Sequence, residues 1–173
     1  MEAESLRTAF EGAHQIMEQT MADVTPEQAQ WAPPGVANPL GATYAHAVIS
    51  EDMMVNGMLK GSAPIMATSF AGKAGVSEPP PPPDKGYGEW ARRVEVDLKA
   101  ARDYAQAVYS NTADYIGSLS EADQERQIDL SGFNLGQQTV GWFLANVLLW
   151  HVNAHCGEIS CLKGLQGAKG YPF

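Results

Sequence analysis

Trp150-His151-Val152-Asn153-Ala154-His155-Cys156-Gly157-Glu158 lies inside the last long helical stretch of the chain, about Val140 to Leu165. Successive residues of an α-helix turn by about 100°, so His151 and His155 leave one face four residues apart and Glu158 follows on that face. Leu144, Val147, Leu148 and Leu162 share it, which marks it as the stripe expected to be buried. The histidines thus emerge from an apolar surface, and two imidazoles placed this way can share one metal ion. Two of the chain's four histidines are in this stretch.

Upstream, the same periodicity predicts three more helices. The first runs from about Glu4 to Val24 on Leu6, Phe10, Ala13, Met17, Met21 and Val24, and stops at Thr25-Pro26. Its Glu11 and His14 make one Glu-x-x-His unit of the kind that di-iron bundles use in pairs. No second unit exists, so His14 reads as a histidine at the edge of the core. Pro26, Pro33, Pro34 and Gly35 mark a loop with one short helical turn around Glu27 to Trp31. Asn38 then reads as a cap, with Pro39 at the first helical position. The second helix extends to about Lys60 with two apolar stripes. Leu40, Tyr44, Val48, Val55 and Leu59 form one, and Ala42, His46, Ile49 and Met53 the other. Packing on a partner subunit and full burial inside one bundle both explain that pattern.

Gly61 to Gly88 is a long connection containing five consecutive prolines, Pro79 to Pro83. The proline run predicts a stiff, extended spacer. The connection is long enough to traverse a helix, which lets the helices on either side run parallel through a crossover. A third helix is expected from about Glu89 to Leu119 on Trp90, Val94, Leu98, Ala101, Ala105, Val108, Thr112, Tyr115 and Leu119, with the charges between Arg92 and Asp103 as its solvated face. Ser120 to Gln138 is polar, with a turn at Ser131-Gly132-Phe133-Asn134 and Gln127 to Leu130 briefly extended. Four long helices without a convincing strand pattern or repeat predict an all-α four-helix bundle, with a long crossover between helices 2 and 3 and one domain over 1–173.

Composition narrows the function classes. The chain has 173 residues, and 45% of them are hydrophobic, enough for a packed core and inconsistent with disorder. Eleven Lys and Arg against twenty Asp and Glu leave a net charge of -9. That balance opposes nucleic acid, which needs a basic stripe. No run is long and apolar enough for a membrane span and the N-terminus is acidic, so the expected compartment is the cytoplasm. Cys156 and Cys161 point about 140° apart on one helix and are expected to be free thiols. Trp142 and Trp150 read as core or interface packing.

Placing His151 and His155 of the last helix opposite His46 of the second brings three imidazoles to one ion and leaves coordination positions open. That is the pattern of a catalytic site, and three histidines suit Zn, Ni or Fe as the divalent metal ion. Position 152 is not the glutamate of an HExxH motif, so a zinc-protease reading lacks its general base. Glu158, one turn beyond His155, is the nearest carboxylate for holding a ligand imidazole or moving a proton, which makes it the candidate catalytic residue. Arg92, Arg93 and Lys60 are the cations able to reach the mouth of such a pocket.

These residues resemble the DinB/YfiT-like superfamily of metal-dependent four-helix bundles. The resemblance rests on His46 in Thr43-Tyr44-Ala45-His46-Ala47, on His151-Val-Asn-Ala-His155-Cys-Gly-Glu-Ile159, and on the ending from Leu162 to Phe173. It implies that His46, His151 and His155 are the metal ligands, that the crossover is long, and that the chain forms a homodimer. Characterised members include enzymes that use low-molecular-weight thiols as transferases or isomerases, and others that hydrolyse thiol conjugates. The expectation is therefore a metal-dependent thiol transferase or small-molecule hydrolase acting on a small-molecule substrate. The alternative is a metal- or ligand-binding bundle without turnover.

Overall fold

The structure is a computed structural model that describes residues 2–82 and 85–173. The last member of the Pro79 to Pro83 run lies outside them. Helix α1 (Ala3–Met21) buries Leu6, Phe10, Ala13, Met17 and Met21, the stripe its spacing predicts. A capping box then starts α2 (Pro26–Gln30): Gln28 N donates to Thr25 Oγ1, and the Gln28 side chain accepts from Thr25 N. Helix α3 (Leu40–Asp52) begins directly after Pro39 and continues as π-helix over Met53–Leu59. Asn38 does not cap it; its side-chain oxygen is buried without a partner among the described residues. Leu40, Ala42, Tyr44, Val48 and Ile49 are all buried by the chain itself, so α3 is an internal helix. Met53, expected in its second stripe, is about half exposed.

The expected third helix is two helices, α4 (Tyr87–Arg93) and α5 (Leu98–Ser118). Between them Val94 turns extended, Val96 bridges Val76, and Asp97 caps α5 by accepting from Lys99 N and Ala100 N. Backbone bonds from Ser77 N to Glu95 O and from Asp97 N to Gly75 O lash the break to the connection. Gly75, at φ +76°, lies against the backbone of Ala101, where a side chain would collide. Past α5 come α6 (Glu121–Glu125) and a small antiparallel hairpin, β1 (Gln127–Asp129) with β2 (Gln137–Thr139), in which Gln127 pairs Thr139. The turn between them uses left-handed Asn134 and Gly136. Helix α7 (Val140–Phe143), a π segment (Leu144–Leu148) and α8 (Leu149–Leu165) form one continuous right-handed run, the long last helix expected.

Four elements make the bundle. Helix α1 packs on α5 and α8, and α3 packs on the same two, so α1 and α3 face each other diagonally. His14 bonds Glu51 and Glu18 bonds Tyr44, so α1 and α3 are antiparallel. Arg102 reaches Met21 O while His14 stacks on Tyr109, so α1 and α5 are antiparallel too. Helices α3 and α5 are therefore parallel, and the connection between them is the crossover. Lys163, buried at the far end of α8, joins α8 to the end of α1 by donating to Thr20 O and Asp23. Among the described residues no helix is long and apolar enough to cross a membrane.

A polar layer crosses the core at Glu51 and Asp52, both fully buried. Glu51 accepts from Thr112 Oγ1 at 2.6 Å and pairs His14 Nε2 at 2.9 Å. Asp52 accepts from Asn56 Nδ2, Ile65 N, Met66 N and Tyr104 Oη at 2.7–3.0 Å. It thereby pins the start of the crossover to α3 and α5. His14 is thus inside the core rather than at its edge, stacked 3.9 Å from Tyr109. Cys156 is buried and Cys161 exposed, both free as expected.

Candidate metal centre

Helices α3 and α8 run antiparallel side by side, which sets His46 opposite His151 and His155. All three are partly buried, and their ligand atoms lie within 4.8 Å of one another. His151 Nε2 is 3.2 Å from His46 Nε2 and 3.2 Å from His155 Nε2. A neutral imidazole has one N–H and one lone pair. His151 Nε2 can therefore donate to one neighbour or accept well from one, and protons alone do not satisfy the cluster. Two nitrogens on one tetrahedral ion at about 2.05 Å stand roughly 3.3 Å apart, so the spacing present fits a shared divalent cation.

The electrostatics keep these rings in ligand form. Burial, reinforced by the neighbouring imidazoles, pushes His151 down to about 3. Burial likewise pushes His46 down to about 4, with His155 adding to the effect and Glu158 opposing it. Both rings are neutral at pH 7, the state in which imidazole binds metal. Glu158 Oε2 lies 2.9 Å from His155 Nδ1 and accepts its proton, leaving Nε2 free to face the cluster. Ser50 Oγ lies 3.4 Å from His46 Nδ1, a long contact. His151 Nδ1 is buried with no partner among the described residues.

Tyr87 is a residue of the centre that helical periodicity does not nominate. Gly86, in the left-handed conformation, opens α4 and delivers Tyr87 to the triad, with ring centroids 4.8 Å from His46. Its ring is backed at 5.4 Å by Trp90, which is fully buried and donates Nε1–H to Glu78 O. Burial and the Glu158 carboxylate both push the Tyr87 phenol pKa up, so the hydroxyl stays protonated. The only signal in the sequence is an aromatic residue directly after a glycine-rich connection. The three cations expected at a pocket mouth are elsewhere. Arg92 donates to Gly35 O and Ala37 O, Arg93 pairs Glu78, and Lys60 donates to Asn111. Trp142 and Trp150 are not core residues; Trp150 is 66% exposed on α8.

Comparison with known proteins agrees with this architecture. Residues 9–159 match the sequence profile of the DinB superfamily. A crystal structure described as the conserved protein of locus from Enterococcus faecalis superposes with a TM-score of 0.73 at 19% identity, over 95% of this chain and 97% of that one. At that identity the likeness bears on the fold alone. No curated protein matches the chain in sequence. The matched stretch begins in the first half of α1, ends one turn beyond His155 and includes all three histidines. A match of that extent makes this chain a member of the DinB superfamily.

Proposed function

We propose that the chain is a metal-dependent enzyme in which His46, His151 and His155 hold one divalent ion, Zn, Ni or Fe, and which transfers a low-molecular-weight thiol or hydrolyses a small substrate. The observation that carries this reading is the convergence of three imidazole nitrogens at 3.2 Å steps, two of the rings held neutral by burial. When bound, such an ion supplies Lewis acidity, lowering the pKa of a thiol or a water toward neutrality. The chain's own residues do the rest. Glu158 fixes the His155 tautomer through Nδ1, and we assign its second carboxylate oxygen as the acceptor of the proton lost by the thiol or water. Its side chain is 37% exposed, which supports passing that proton to solvent. Tyr87 and Trp90 wall one side of the triad against water.

The net charge of -9 supports a small-molecule partner over nucleic acid or an anionic membrane surface. Two free cysteines support a reducing, cytoplasmic setting. Exposed Trp150 supports a homodimer, the interface role left to it once the core is excluded.

Elemental mass spectrometry of the untagged protein beside His46→Ala and His151→Ala tests the reading. About one ion per chain, lost in both variants, is expected. No ion after incubation with Zn, Ni and Fe overturns it. A bound ion inert toward thiols and esters reduces the protein to a non-catalytic metal-binding bundle.

A further inference from the structure

The charge around the three imidazoles is one-sided. Among the described residues Glu158 is bonded only to His155, and apart from the imidazoles it is the charged group that acts on His46 and Tyr87. The basic side chains nearest in sequence or in reach are engaged elsewhere. Arg92 holds two backbone carbonyls of the loop before α3, and Arg93 holds Glu78. Lys60 bonds Asn111, and Lys163 is buried against Thr20 and Asp23. Lys85, two residues before Tyr87, is exposed to solvent. A ligand at the triad therefore meets an aromatic face and a carboxylate, with no lysine or arginine shown against either. A divalent ion, one thiolate and the Glu158 carboxylate sum to zero charge. No positive charge is left over for a second anionic group on the ligand, whereas an ammonium group finds both a ring face and a carboxylate.

We propose that this centre selects its ligand by charge: Tyr87 and Glu158 together favour a thiol that carries an amine over one that carries a carboxylate or phosphate. This rests on the reading of the triad as a metal site that takes a thiol. It makes Tyr87 a specificity-determining residue.

The test uses the full chain loaded with Co(II), whose absorbance reports thiolate binding. Cysteamine, 2-mercaptoethanol and thioglycolate are titrated at one pH, and each affinity is expressed per thiolate to remove differences in thiol pKa. The expected order is cysteamine, then mercaptoethanol, then thioglycolate, with the extremes separated about three- to thirtyfold. Tyr87→Ala should still bind cobalt but bring that ratio toward one, while Tyr87→Phe, which keeps the ring face, should retain it. Thioglycolate binding as tightly as cysteamine, or an unchanged ratio in Tyr87→Ala, overturns the charge selection and leaves the metal site standing. Wild-type protein that takes up no cobalt overturns the metal site itself, and the selection with it.

Discussion

Two polar centres share α3, the first at His46 and the second about one and a half turns later at Glu51 and Asp52. They are built on opposite terms. The later one is closed: both carboxylates are fully buried, and each of their four oxygens has a partner, from Thr112, His14 and the Asp52 donors. The earlier one is open: nitrogens face nitrogens across 3.2 Å, and His151 Nδ1 has no partner among the described residues. Buried polar groups are normally satisfied, and the exceptions concentrate where a ligand, ion or water completes them. The contrast separates a centre that holds the bundle together from one suited to completion from outside.

The contrast is tested most severely at Asp52. Asp52→Ala strands two backbone N–H groups, a tyrosine hydroxyl and an amide, so it should cost about 3–5 kcal/mol, read as a lower urea midpoint. A loss under about 1 kcal/mol would mean that the closed network is not structural. The pH response comes next. In the unfolded chain the histidines take protons near pH 6.5, whereas folded His46 and His151 resist them down to about 4 and about 3. Below pH 6.5 the unfolded state therefore binds more protons, and stability present above that pH is lost as pH falls toward 4. Metal-free protein should lose on the order of 2 kcal/mol between pH 7 and pH 5. Thermal melts of a His46→Gln/His151→Gln variant should show a shallower loss, and an equal slope in both proteins would refute neutral, buried imidazoles.

Glu158→Gln keeps the shape but removes the charge opposite His155. Competition with a chromophoric chelator should show divalent-ion affinity falling 10- to 100-fold, about 1.4–2.7 kcal/mol. An unchanged affinity would cut Glu158 out of the centre. The smallest effect belongs to His151→Ala in metal-free protein. Removing a ring whose Nδ1 is already orphaned should change stability by about 1 kcal/mol or less. A loss matching that of Asp52→Ala would place the triad among the structural centres instead.

What the chain made legible follows the range of the interactions. The i, i+4 spacing of His151 and His155 is local, and so are the helical stripes, so the bundle and the triad could be read directly. Glu51 and Asp52 could not. Charged residues between two apolar stripes read as surface, and what makes them internal are donors such as His14 and Thr112, 37 and 61 residues distant. The break at Val94 to Asp97 was hidden for a related reason: Trp90, Val94 and Leu98 keep helical spacing through it. Only the crossover's bonds at Gly75 and Ser77, with the Asp97 cap, show why the helix stops. Tyr87 was missed because its position depends on where a long connection ends, which periodicity does not encode. The hairpin was half legible, through its extended start at Gln127 and the turn after Ser131.

Both helices that carry the triad contain π-helix, Met53–Leu59 after His46 and Leu144–Leu148 before His151. A π turn is an α turn holding one residue more, and whatever follows it is rotated by about 100°. A one-codon deletion within Leu144–Leu148 would let that helix close into α and swing His151, His155 and Glu158 away from His46 as a unit, with the chain before α7 unaltered. A lineage built on this bundle has a single genetic step between a chain whose histidines meet and one whose histidines do not.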